Sequence, residues 1–98
     1  KDNKLIGYSR IFPPGIKYET ASIGRIVIDL EYRGKDYGKN ITLESIRFIR
    51  KNFPESDITI SAQYRLVHFY EDLGFKIEGT VYLEDGIDHI KMVIKSKN

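Results

Sequence analysis

Apolar and polar residues alternate loosely from Lys4 to Phe12 (KLIGYSRIF) and stop at Pro13-Pro14-Gly15, which predicts a strand closed by a turn. The loop from Ile16 to Ser22 is polar and expected to be exposed. Ile23, Ile26, Val27, Ile28 and Leu30 then form an apolar run without helical spacing, as a strand buried on both faces requires. From Tyr37 to Asn52 the period becomes helical. Ile41, Ser45, Phe48 and Ile49 share one side with Gly38 and Thr42, Ile46 lies near its edge, and Lys39, Asn40, Glu44, Arg47, Arg50 and Lys51 fall opposite. Pro54 ends this amphipathic helix. Asp57 to Ser61 (DITIS) alternates at period two and reads as a short strand. Strand, helix and strand in this order form a right-handed βαβ unit, so the two strands run parallel.

Gln63 to Leu73 returns to helical spacing through Leu66, Phe69, Tyr70 and Leu73, and Gly74 supplies the left-handed stop with Phe75 as the following apolar contact. The tail predicts a hairpin. Phe75, Ile77, Gly79, Val81 and Leu83 alternate toward an Asp85-Gly86 turn, and Ile90, Met92 and Ile94 alternate back. The fold class is therefore α+β with a mixed sheet, in the order β-β-α-β-α-β-β.

Composition narrows the class. Ninety-eight residues make one domain, 1–98, and 41% hydrophobic with 31% charged residues are ordinary globular values that argue against both disorder and membrane spanning. The absence of cysteine removes disulfides, thiolate metal sites and a Cys nucleophile, and no metal is expected. The N-terminal KDNKLIGYSR carries no apolar leader core, so the expected compartment is the cytoplasm. A chain that begins with Lys and opens almost directly into a strand is expected to be incomplete at its N-terminus. The net charge of +2 is scattered rather than gathered in a run, so nucleic acid is not an expected partner.

The chemistry sits after the central strand, in Arg33-Gly34-Lys35-Asp36-Tyr37-Gly38-Lys39. A strand feeding through a glycine-punctuated basic turn into a helix directs unpaired backbone N–H groups and the positive helix end at one spot, which favours a phosphate. A nucleotide P-loop needs four residues between its glycine and the Gly-Lys pair; Gly34 and Gly38 enclose three, and Asn40 stands where Ser or Thr would hold magnesium. The dinucleotide fingerprint is absent as well.

The turn resembles the loop of the GNAT superfamily of N-acetyltransferases, in which Arg or Gln, two residues, Gly, one residue and Gly or Ala follow one another. Arg33 and Gly38 match its ends, and Asp36 departs from its middle glycine. A second segment agrees. Ala62-Gln63-Tyr64-Arg65-Leu66-Val67-His68-Phe69-Tyr70-Glu71-Asp72-Leu73-Gly74-Phe75 has the family's Ala, Phe-Tyr-Glu and Gly-Phe at the family's spacing. The hairpin LEDGIDHIKM, the PPG and the IGR are similar to the ElaA-type subfamily.

The resemblance implies a GNAT fold and an acetyl-CoA-dependent N-acetyltransferase, with acetyl-CoA as cosubstrate and an amine as acceptor. It implies that the coenzyme lies where the two parallel strands splay. Pantetheine would pair with the main chain of Ile26, Val27 and Ile28, where a backbone N–H would steady the oxyanion. Pyrophosphate would sit on Arg33, Gly34, Lys35, Asp36, Tyr37, Gly38 and Lys39. Tyr70 matches the position that protonates the departing thiolate, and with Phe69 it equally suits an aromatic packed on the coenzyme. A phenol near ~10 has a modest driving force toward a thiolate near ~8.5. His89 is the chosen candidate base, because histidine titrates in the useful range. Glu84, Asp85, Glu19, Asp29 and a water chain stay open. Asp36 brings a negative charge toward the pyrophosphate and predicts weakened coenzyme affinity, offset by Arg33, Lys35 and Lys39. Two earlier strands and two helices of the family are not found in the sequence. The Leu5 to Phe12 strand is therefore expected to be a bare sheet edge open to a second copy of the chain. A remnant that binds coenzyme or a partner chain without chemistry is the alternative.

Overall fold

A computed structural model describes residues 7–28 and 37–97. Strands β1 (Gly7–Phe12) and β2 (Ala21–Ile28) are followed by helix α1 (Tyr37–Asn52) and strand β3 (Ile58–Gln63). A single 3₁₀ turn (Tyr64–Leu66) leads into helix α2 (Val67–Asp72), and β4 (Lys76–Ile77), β5 (Tyr82–Glu84) and β6 (Ile87–Ile94) complete the chain. The strands form one mixed sheet in the order β1-β2-β3-β6-β4, with β5 paired to β6 as well. Among the described residues β1 therefore ends the sheet. The β2–β3 pair is parallel and the pairs β1–β2, β3–β6, β4–β6 and β5–β6 are antiparallel, as the α+β reading requires.

Strand parity divides the sheet into an apolar and a polar face. Ile58, Ile60 and Ala62 on β3 stand opposite Ile94, Met92 and Ile90 on β6, and all but the half-buried Ile94 are buried. Together with Ile46, Ile49, Val67 and Phe75 they make the core. The alternate positions, Thr59, Ser61 and Gln63 facing Val93, Lys91 and His89, form the second face.

Helix α1 buries Thr42, Ser45, Ile46 and Ile49, a stripe at i, i+3, i+4 and i+7. The expected place of Phe48 on that stripe is wrong, for its ring is 51% exposed. The small side chains Thr42 and Ser45 line the contact, and each donates its hydroxyl to the carbonyl one turn back, Gly38 and Ile41 at 2.8 and 2.9 Å, so neither buries an unpaired donor. That centring turns the face past Phe48 and makes Ile46 a full member. Arg50, expected opposite, is half-buried and donates toward the Lys95 carbonyl at 3.4 Å.

Further expectations shift locally. Ala21 and Ser22 are buried in β2 rather than in an exposed loop. The second helix begins with a 3₁₀ turn and is shorter than its periodic pattern. It ends as expected. Gly74 has φ +108°, its N–H donates to Glu71 O at 3.0 Å, and Phe75 N–H donates to Tyr70 O at 3.1 Å.

The first strand of the tail hairpin is broken. Gly79, at φ +103°, lies between β4 and β5, so the alternation through Ile77, Val81 and Leu83 does not stay on the core, and all three are exposed. The turn itself is as expected: Asp85 and Gly86 take φ +53° and +75°, and Glu84 pairs with Ile87 across it.

Candidate functional site

The parallel ladder between β2 and β3 is short. Ala21 pairs with Ile58 and Ser22 with Thr59, and among the described residues no further pair follows. Each strand is held elsewhere: β2 continues along β1 to Ile28, and β3 along β6 to Gln63. A register slip accompanies the parting. The β1–β2 register slips between Tyr8 and Arg10, so β2 carries an extra residue between Gly24 and Val27. A bulge of this kind increases the local twist and bends its strand away from the neighbour. At Gly24 the Phe12 ring packs close enough that an added Cβ would stand 3.2 Å from it. Below the fork the strands are pinned, since Thr20 and Thr59 share a hydroxyl bond of 2.6 Å and the Ala21 N–H donates to Ser56 Oγ at 2.9 Å.

The fork opens into a cleft of about 460 Å³. Ile23 of β2 and Ile60, Ser61 and Gln63 of β3 form its walls, with Leu66 and Tyr70 from the following turn and helix. Glu84, Asp85 and His89 close it from the hairpin, and Lys17 from the β1–β2 loop.

Tyr70 and His89, distant in sequence, thus line one cleft. Tyr70 is half-buried on α2, with Phe69 and Phe75 edge-on at ring distances of 5.0 and 5.9 Å. Burial pushes its phenol above the ordinary value, so it is protonated at neutral pH. Its hydroxyl has no hydrogen-bond partner among the described residues and can serve a ligand.

His89 is 8% exposed. Its Nδ1 lies 2.8 Å from the Ile87 carbonyl, which can only accept, so Nδ1 carries the proton and Nε2 keeps a lone pair in the neutral ring. Nε2 is 4.0 Å from Glu84 Oε2. Glu84 Oε1 accepts the Ser61 hydroxyl at 2.9 Å, Ser61 also bonds the Tyr82 hydroxyl, and the Tyr82 ring stacks on the imidazole at 6.2 Å and 27°. Tyr18 is pushed up by burial first, and then by Tyr82 and Glu84.

The other expected residues are placed as follows. Ile26, Val27 and Ile28 lie on β2 beyond the fork, where Val27 and Ile28 pair with Tyr8 and Gly7 of β1. Arg33, Gly34, Lys35 and Asp36, and the candidate base Asp29, lie outside the described residues. Tyr37, Gly38 and Lys39 open α1. Phe69 is half-buried on α2 and does not line the cleft. Glu19 is exposed and borders other grooves. Sequence reasoning did not single out Ser61, Gln63, Tyr82 or Lys17. Period-two parity carried forward from DITIS would have put Ser61 and Gln63 on one face; the register with the hairpin, which joins them to His89, had no local signal.

Among the described residues no three His, Asp or Glu side chains gather as metal ligands, and no helix is long and apolar enough to cross a membrane.

Comparison with known proteins places these features in a wider set. The family profile described as an acetyltransferase (GNAT) domain matches residues 1–96. Protein ElaA of Escherichia coli is 32% identical over 92 residues, which cover 94% of this chain and 60% of ElaA. Its crystal structure superposes with a TM-score of 0.87 over 97% of this chain and 64% of that one. An acyl-CoA N-acyltransferase from Pseudomonas aeruginosa is 30% identical with a TM-score of 0.89, over 96% of this chain and 63% of that one. The PaiA N-acetyltransferase of Thermoplasma acidophilum, solved with coenzyme A, is 28% identical with a TM-score of 0.70, over 97% of this chain and 56% of that one. The chain spans about three fifths of the length of the curated relatives it matches.

Proposed function

The chain belongs to the GNAT acetyltransferase family, and from that membership we propose that it transfers an acetyl group from acetyl-CoA to a primary amine by direct attack. The observation that carries this reading is the fork between β2 and β3, with Tyr70 and His89 on one cleft at its mouth. Coenzyme A in the T. acidophilum relative supports the choice of ligand.

In this reading pantetheine lies along the side of Ile26, Val27 and Ile28 turned away from β1, and the pyrophosphate on Arg33 to Lys39. Phe69 and Tyr70 border the coenzyme from α2. The acceptor arrives as an ammonium ion. His89 Nε2 removes one proton and passes it to water through the open side of the cleft. The amine lone pair then attacks the thioester carbonyl carbon, with a β2 backbone N–H steadying the oxyanion. As the C–S bond breaks, Tyr70 gives its proton to sulfur and recovers one from the nitrogen through water. The products are an N-acetyl amine, coenzyme A thiol and one released proton.

Assay of thiol release from acetyl-CoA with primary amines of graded size tests the reading. Amine-dependent release that falls in Tyr70→Phe and His89→Gln supports it, and no release with any amine refutes it. Asp36, in the place of a family glycine, favours a second reading in which the chain binds coenzyme without chemistry. Measured transfer excludes that alternative. Association of two copies through the edge of β1 is a further proposal, decided by light scattering.

A further inference from the structure

The two ring nitrogens of His89 find their partners on one residue pair. Glu84 and Ile87 close the hairpin turn opposite each other; the Ile87 carbonyl accepts a hydrogen bond from Nδ1–H, and the Glu84 carboxylate stands before Nε2. The carboxylate is itself fixed. Ser61 has one hydroxyl proton and gives it to Glu84 Oε1, so the Tyr82 hydroxyl must be the donor to Ser61. Tyr82 stands opposite His89 in the β5–β6 register and stacks on its ring. The chain of contacts therefore returns to the imidazole it started from.

A salt bridge between exposed side chains contributes little. Here the imidazole is 10% exposed and the carboxylate 47%, and the ring cannot turn without losing its Nδ1 bond. At 4.0 Å the carboxylate is too far to hydrogen-bond Nε2 directly, which leaves that lone pair open to a substrate proton or a bridging water. Tyr70 from α2, Asp85 from the turn and Lys17 from the β1–β2 loop also face the cleft. Among the described residues Glu84 alone lies within ion-pairing distance of the His89 ring.

We propose that Glu84, anchored by Ser61, is a positioning residue for His89: with the ring oriented by its Nδ1 bond to the Ile87 carbonyl, the carboxylate held beside Nε2 balances the charge the ring gains on taking a proton from the acceptor ammonium. The assignment rests on the reading of His89 as base. In the step, one N–H bond of the ammonium breaks, its proton goes to Nε2, the electron pair stays on the amine, and Nδ1 keeps its own proton. Ser61 and Tyr82 move no proton to substrate; they hold the carboxylate.

The test is nuclear magnetic resonance of the histidine ring nitrogens across pH in the 98-residue chain, which has two histidines. His68, exposed on α2 and 3.2 Å from Glu71, is the internal reference. Glu84→Gln keeps an acceptor for Ser61 and removes the charge. It is expected to lower the pH at which His89 takes its second ring proton by half a unit or more, about threefold in proton affinity, with the His68 curve unmoved. Ser61→Ala should move His89 the same way by less. An unchanged His89 curve in Glu84→Gln overturns the proposal, and if that variant does not fold, an unchanged curve in Ser61→Ala does so. With turnover, the acid limb of the kcat/KM profile should move by the same step. A His89 curve that shifts in a chain without turnover leaves the pairing standing and refutes the base.

Discussion

Ser22 and Thr59 form the last parallel pair between β2 and β3, and beyond them the strands part. The parting is bought locally by a bulge on one strand and held by hydrogen bonds beneath the fork. Its floor is therefore a place where stability and the proposed coenzyme site meet.

Ser56 carries much of that floor, because its Oγ accepts the N–H of the fully buried Ala21 and donates to the Asp57 carbonyl at 2.7 Å. Ser56→Ala leaves a buried donor unpaired and should cost ~1–3 kcal/mol. Urea denaturation measures it; a midpoint equal to that of the parent chain would show that water replaces the hydroxyl.

Tyr70→Phe should slow acetyl transfer about 10²-fold while leaving coenzyme affinity within a factor of two or three, since ring packing survives and the proton does not. Comparison of kcat with coenzyme Kd checks this. The same residue sets an alkaline limit. Burial raises its phenol, so the folded chain keeps a proton that an unfolded tyrosine releases near pH ~10. Its contribution is whole below that pH and is lost as pH rises through the folded value. Tyr18, raised for the same first reason, adds in the same sense. The alkaline fall in stability should be shallower in Tyr70→Phe.

Asp57 gives the opposite slope. The Ser96 N–H at 2.8 Å, and then Lys95 at 3.4 Å, hold its carboxyl below the usual range and fasten the segment after β6 to the start of β3. Its stabilisation is present above the ordinary carboxylate value and is lost as pH falls below about 4. Thermal melts from pH 7 to pH 3 should show a smaller loss for Asp57→Asn than for the parent chain.

How much of this the sequence carries differs by element. Helix α1, strand β3 and the Asp85-Gly86 turn are legible, because periodicity and turn chemistry are local. Gly74 is legible too, and the structure adds a reason: a Cβ there would stand 3.0 Å from the Ile94 side chain. Phe48 and Leu83 mislead because an apolar residue in phase with a face need not be covered by it; they are 51% and 71% exposed. The fork is not legible from apolar runs at all. It follows from a register slip across β1 and β2 and from the competing pull of β6 on β3, both long-range pairings. Its expectation rests on family resemblance, as does the role proposed for Tyr70. The Ser61–Glu84–His89 contacts join β3 to a hairpin turn, and no local pattern announces them.

Coenzyme A in the gap between β2 and β3 is tested most directly by following backbone amide resonances while the coenzyme is added. Binding in the fork predicts saturable shifts concentrated at Ile26 to Ile28, at Ile60 to Gln63 and around Tyr70, with the far end of the sheet at Lys76 and Ile77 unmoved. Resonances that stay in place at millimolar coenzyme A, or that move only away from the fork, would contradict it.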